Sequence, residues 1–307
     1  MRIRNLTLLF SVLLLTVPLS ARPAGKLTVY TVNYPLRYFS ERIGGEHIDV
    51  HFPAPVNVDP AFWSPNVETI AAYQRADLII LNGANYAQWV GRVSLPRLRL
   101  VDTSSSFSDR LITEQSSVTH SHGPGGEHAH SGTAFTTWLD FNQAIQQARA
   151  ILEELQRKRP DAGDYFAENF KSLEQDLLAL DTEMLSLSEK VAGRLFMASH
   201  PIYQYLARRY RLNIDAMIWE PDKFPSEEQW QRFSQRLQQQ PVQWILWEGE
   251  PLEKTRQRLS EMEVSVVVFG PCMNVPAKGN FLTVMWQNVQ NLRKSIELGL
   301  KSTVGGS

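Results

Sequence analysis

Cysteine is nearly absent from this sequence: Cys272 stands alone among 307 residues, so no internal disulfide can form. An excess of charge is missing too. With 31 Lys and Arg against 32 Asp and Glu, a net charge of −1 offers no electrostatic footprint for nucleic acid or an anionic membrane. Beyond the N-terminal segment no apolar run reaches the roughly eighteen residues of a membrane-spanning helix. The chain also has no G-x-S-x-G elbow, no H-E-x-x-H pair and no phosphate-binding glycine loop, and Cys272 has no recognisable histidine partner. These absences argue against the common hydrolases and nucleotide enzymes.

What is present begins with an export segment over residues 1–21. Arg2 and Arg4 precede the apolar run LTLLFSVLLLTV, and LSA places a cleavage after Ala21. No cysteine stands at that cleavage point, so no N-terminal lipid anchor on a cysteine is expected. An exported chain without disulfides fits the bacterial periplasm. The remainder is long enough for two compact lobes.

Residues 26–140 read as the first lobe, α/β in class. KLTVYTVNY (Lys26 to Tyr34), HIDVHFPAP (His47 to Pro55) and ADLIILNG (Ala76 to Gly83) have strand patterns, the last apolar enough to be buried on both faces. Leu36 to Gly44 and Pro65 to Arg75 read as helices, with Pro65 in a first turn. Strands alternating with helices predict a parallel sheet whose ligands bind beyond the carboxyl ends of the strands. The loop Val56 to Pro65 and the loop after Asn82-Gly83 are therefore the places to search.

Residues 141–193 turn helical. FNQAIQQARAILEELQRKR ends at Pro160, and DYFAENFKSLEQDLLALDTEMLSLSEKV carries apolar residues at three- and four-residue steps. A helix of that length, about 40 Å, can run the height of a two-lobed protein as its spine. Residues 194–300 resume the α/β pattern, with strands in RLFMASH, WILWEGE and VSVVVFG and helices in LARRY and around Ser226 to Gln238. The sequence thus predicts two α/β lobes with parallel sheets joined by a long linking helix, ending in a frayed STVGGS tail.

One tract concentrates metal-binding chemistry. Four of the seven histidines fall in THSHGPGGEHAHSG, residues 119–132, as His120 with His122 and His128 with His130, separated by a glycine- and proline-rich turn. Neutral imidazole is the commonest protein metal ligand, so a compact histidine tract points to a divalent transition metal, as a primary site or as an antenna.

The whole order of segments resembles the periplasmic metal-binding proteins of zinc and manganese ABC importers. ADLIILNG, the histidine tract just before TTWLD, and SHPIYQYLARRY carry the resemblance, which covers nearly the whole mature chain. It implies that His200 is a metal ligand. At three other ligand positions the chain departs from the family pattern. Asp59-Pro60-Ala61 stands for Asp-Pro-His, Thr136 occupies the histidine position before Trp138-Leu139, and Gly270-Pro271 stands for Asp-Pro. Ala61 and Gly270 offer no donor.

A replacement set has to come from elsewhere, since zinc needs about four donors, three of them from protein even in an open site. His120, His122, His128 and His130 are candidates for the Thr136 vacancy, and sequence does not rank them. Glu248 ends a second-lobe strand at the correct edge. Asp59 is a further candidate, although Asp before Pro also shapes turns. His47 and His51 read as surface or packing residues. Trp63, Trp89, Trp138, Trp219 and Trp247 fall near the loop edge or in the core, and would suit a drier cleft or a chelated ligand. The expectation is a monomeric receptor that binds Zn2+ or a related divalent ion at His120, His122, His128, His130, His200 and Glu248. It would deliver the ion to an ABC permease, with no catalytic residues and no nucleic-acid partner. The alternatives are a zinc buffer or chaperone, a receptor for a metal complex or other small ligand, and a zinc hydrolase.

Overall fold

The computed structural model describes residues 25–114, 119–121, 127–129 and 132–304. The export segment over 1–21, His122 and His130 lie outside the described residues.

Asn33 organises the start of the first lobe. Its side chain accepts a hydrogen bond from Leu36 N, and Pro35 follows in the first turn, so helix α1 (Tyr34–Gly44) begins immediately after strand β1 (Leu27–Thr31). The first strand is thereby shorter than expected, because Tyr34 is taken into the helix. Strand β2 (Ile48–His51) also stops early, where Pro53 and Pro55 lack the N–H a ladder needs. Helix α2 (Val67–Arg75) is capped by Asn66, which places Pro65 before the cap and not in the first turn. Strand β3 (Leu78–Leu81) follows, then β4 (Leu100–Asp102), which is too short for its alternation to show in the sequence. All four strands are parallel in the order β2-β1-β3-β4.

Beyond β4 come two small antiparallel ribbons. β5 (Thr113–Glu114) pairs with β8 (Gly132–Thr133), and β6 (Thr119–Ser121) pairs with β7 (Glu127–Ala129). Asp140 then caps helix α3 (Phe141–Lys158), its carboxylate accepting from Asn142 N and Gln143 N. Helix α4 (Gly163–Lys190) is the predicted spine. It buries Phe166, Phe170, Leu173, Leu177, Leu180, Met184 and Leu187 along one stripe. It packs on α1 of the first lobe, on the adjoining α3, and on α5 (Gln204–Tyr210) and α8 (Phe281–Val304) in the second lobe.

The second sheet repeats the first. β9 (Leu195–Ala198), β10 (Asn213–Ala216), β11 (Trp244–Trp247) and β12 (Ser265–Val268) are parallel in the order β10-β9-β11-β12. Helix α6 (Glu227–Gln239) starts with a reciprocal capping box between Ser226 and Gln229. Helix α7 (Glu253–Glu261) and the long α8 were not anticipated. The helix persists to Val304, so Ser302, Thr303 and Val304 of the expected frayed tail are helical.

One buried cluster runs through both lobes, from Val29, Phe39 and Ile80, along Phe170, Leu177 and Met184 of the spine, to Leu246, Val267 and Phe281. The lobes are therefore parts of a shared core. A second cluster, around Trp219, Trp230, Phe233 and Trp247, belongs to the second lobe alone. Among the described residues no helix is long and apolar enough to cross a membrane.

Candidate functional site

Both sheets send their strand ends toward a cleft, and a cavity of about 180 Å³ lies there. Its lining is Asp59, Phe62, Phe135, His200, Ile202, Pro221, Glu248 and Met273. The first lobe supplies Asp59 and the two phenylalanines from loops after β2 and β8. The second supplies His200 just past β9 and Glu248 just past β11, which is the edge where parallel sheets place ligand-binding loops.

Asp59 does two things. Its Oδ1 accepts from Ala61 N at 2.9 Å, and its carbonyl accepts from Trp63 N at 3.0 Å, so it shapes the turn as Asp-Pro suggests. It also reaches the cavity, where burial pushes its carboxyl up to about 6 against the opposing pull of the Ala61 amide. The neighbouring Tyr86 hydroxyl is buried without a hydrogen-bond partner among the described residues. Burial and the Asp59 charge both disfavour its ionisation.

Glu248 is shifted further. Burial first, then the charges of Asp59, Glu220 and Asp222, push its carboxyl up to about 8. Its Oε1 has no hydrogen-bond partner among the described residues. Tyr203 beside it donates its hydroxyl to Phe269 O at 2.8 Å and is not available to the carboxylate through that proton. His200 is 1% exposed. Its segment is fixed by the backbone: Ser199 N donates to Leu246 O at 2.9 Å, and Ile202 N donates to His200 O at 3.0 Å.

The three departures from the family pattern each have a structural role. Ala61 is fully buried in the common core. Thr136 is buried and donates its hydroxyl to Ile202 O at 2.5 Å. Gly270 is held on both sides by Asn288, whose Oδ1 accepts from Gly270 N at 2.9 Å and whose Nδ2 donates to Gly270 O at 2.8 Å. A Cβ at position 270 would sit 3.1 Å from the Glu248 carbonyl oxygen, so any side chain there would press on the strand end that carries Glu248.

Of the expected site residues, the structure brings His200 and Glu248 to one cavity and adds Asp59. His120 and His128 are directly opposite in the β6–β7 ribbon, while His122 and His130 lie outside the described residues. No group of three or more His, Cys, Asp or Glu among the described residues is arranged to hold a metal ion. The cleft donors share a cavity without having converged. His47 and His51 are elsewhere. His47 packs edge-on to Tyr165 and Phe166, and His51 stacks on Tyr30 and pairs with Asp49 at 3.0 Å.

The tryptophans pack away from the cleft cavity. Trp89 packs on Tyr73 in the core, Trp138 is buried and donates to Pro271 O at 2.8 Å, and Trp219 and Trp247 belong to the second-lobe cluster. None of the five tryptophans lines the cavity; its aromatic wall is Phe62 and Phe135, edge-to-face at 6.0 Å. The loop was legible in the sequence, but nothing in it distinguished Phe62 from its neighbour Trp63.

Comparison with known proteins agrees with this architecture. The family model described as zinc-uptake complex component A, periplasmic (ZnuA) matches residues 29–295. The chain is 27% identical over 281 residues to the high-affinity zinc uptake system protein ZnuA of Bacillus subtilis, covering 88% of each. It is 24% identical over 285 residues to the zinc-binding lipoprotein AdcA of Streptococcus pneumoniae, covering 89% of this chain and 56% of AdcA. This chain thus spans little more than half the length of that relative. Among solved structures, the metal-dependent lipoprotein YcdH of Bacillus subtilis matches in fold with a TM-score of 0.75 at 24% identity, over 88% of this chain and 99% of YcdH. With a family model covering most of its length and the two-lobed fold in place, the chain belongs to the ZnuA family.

Proposed function

We propose that this chain is an extracytoplasmic solute-binding protein that captures a divalent metal ion, zinc first, between its lobes and hands it to an ABC permease. The observation that carries the reading is the pairing of Asp59 and Glu248 with His200 in one small cavity that no lysine or arginine lines. Carboxylates withdrawn from water without a counter-charge are costly, and a divalent cation placed among them removes that cost. One imidazole and two carboxylates make a zinc donor set with an open position, for water or for a histidine of the 119–132 tract. The relatives named for zinc support the choice of ion.

In this reading residues 1–21 direct export and are removed, and a monomer works in the periplasm. Its parts are a first lobe at 26–140, a helical region at 141–193 and a second lobe at 194–300. His120, His122, His128 and His130 serve as an antenna or complete the coordination. A small metal complex is the second reading. It is favoured by the apolar wall of Phe62, Phe135, Ile202 and Met273 and by a volume well above that of a bare ion, since a water takes up about 30 Å³.

Zinc titration of His200→Ala against a chelator of known affinity is the test. The expected result is at least a roughly tenfold weaker cleft site, about 1.4 kcal/mol. A folded variant with wild-type affinity and stoichiometry overturns the cleft site.

A further inference from the structure

The hydroxyl of Thr136 occupies the position where the resemblance to metal-binding proteins sets a ligand, and here it faces protein. Thr136 is 1% exposed and belongs to the first lobe, yet its Oγ1 donates at 2.5 Å to the carbonyl of Ile202 in the second. Ile202 in turn donates its own N–H to the carbonyl of His200 at 3.0 Å. A continuous run of two hydrogen bonds therefore leads from the first lobe to the histidine of the cleft.

Neighbouring bonds point the same way. Tyr205 of the second lobe donates its hydroxyl to Ala134 O at 2.8 Å, and Trp138 of the first donates to Pro271 O at 2.8 Å. Between them Phe135, a wall of the cavity, has its carbonyl held by Asn82 Nδ2 at 3.0 Å. Of these three cross-lobe bonds among the described residues, that of Thr136 ends on the backbone segment that carries His200.

We propose that Thr136 is a positioning residue, a strap that sets the His200 segment against the first lobe before any ligand arrives. The effect on binding rests on the cleft reading above; the strap itself does not. In a cleft closed by its ligand, metal bonds must offset the ordering of two lobes. Here protein hydrogen bonds and a shared core join the lobes beside the cavity, so less of that ordering is left to the ligand. Threonine suits the place because valine has the same shape without the donor, and would leave the buried Ile202 carbonyl unmet.

Three full-length proteins decide the matter: wild type, Thr136→Val and Thr136→Ser. Amide hydrogen exchange is read over residues 199–203 in metal-free protein, and zinc affinity by titration. In Thr136→Val the amides of 199–203 should exchange at least about tenfold faster, and zinc should bind at least about tenfold more weakly. The first-lobe sheet should keep wild-type protection, and Thr136→Ser should restore both properties. Wild-type exchange or wild-type affinity in Thr136→Val overturns the strap. So does loss of protection spread evenly through β1 and β3, or a serine variant as impaired as the valine one. If His200→Ala leaves zinc binding unchanged, the cleft reading fails separately, and the exchange results alone decide the strap.

Discussion

The first lobe orders its strands β2-β1-β3-β4 and the second β10-β9-β11-β12, one pattern of crossovers used twice, but the two hold their cleft loops by different chemistry. Under the first lobe's loops lies a buried polar network. Asn82 Oδ1 accepts from Asn33 Nδ2 at 3.2 Å and from Gln147 Nε2 at 3.1 Å, and Gln147 reaches on to Thr103 Oγ1 at 3.0 Å. Under the second lobe's loops lies an aromatic cluster, with Trp219 at 4.8 Å from Trp230, 5.1 Å from Phe233 and 6.0 Å from Trp247. Hydrogen bonds are directional, so the first device fixes the orientation of the run that carries Phe135 and Thr136. Rings supply buried area with weaker directional demands, so the second gives bulk support to a loop that carries Glu220 and Pro221.

The sharpest way to break this comparison is Trp219→Ala. It should cost about 3–5 kcal/mol, the usual range for emptying a large aromatic site, read by denaturant unfolding. A loss near zero would mean that the aromatic cluster does not support its lobe. Asn82→Leu should cost less, about 2–3 kcal/mol, because it strands buried donors while keeping the volume. Its distinguishing mark is local: altered chemical shifts at Phe135 and Thr137 with the second-lobe tryptophans unchanged. Equal disturbance in both lobes would show that the network is not a first-lobe device.

Glu248→Gln should show itself as a pH dependence. The folded carboxyl ionises near 8 instead of near 4.5, so between those values the unfolded chain has lost a proton that the folded chain keeps. Metal-free stability therefore falls as pH rises through that window and levels off above about 8. Asp59, raised from 3.8 to about 6, adds a slope of the same sign over a narrower range. Glu248→Gln should remove the upper part of the slope and raise the metal-free Tm at pH 8 by a few degrees. An unchanged slope between pH 6 and 8 would show that Glu248 is not the titrating group.

Much of the architecture was written locally. Pro160 after an amphipathic run, the Ser226 and Gln229 capping pair, and the apolar ADLIILNG depend on neighbours a few residues apart, and they mark helices and a buried strand in any compact context. The signal failed where elements were very short or their caps ambiguous. Strand β4 is three residues long, and Asn33 took Tyr34 out of a strand and into α1. Glu248 was legible because it follows a strand in a parallel sheet, and His200 because SHPIYQYLARRY resembles the family's ligand segment. By itself, then, the sequence determined the two α/β lobes, the spine helix and the edge at which to search. Only the tertiary structure decided that Asp59 joins His200 and Glu248, that the tryptophans retire into cores, and that Thr136 bonds to protein. Those outcomes depend on which distant segments share a cavity or a hydrogen bond, and no local pattern encodes a partner in the other lobe.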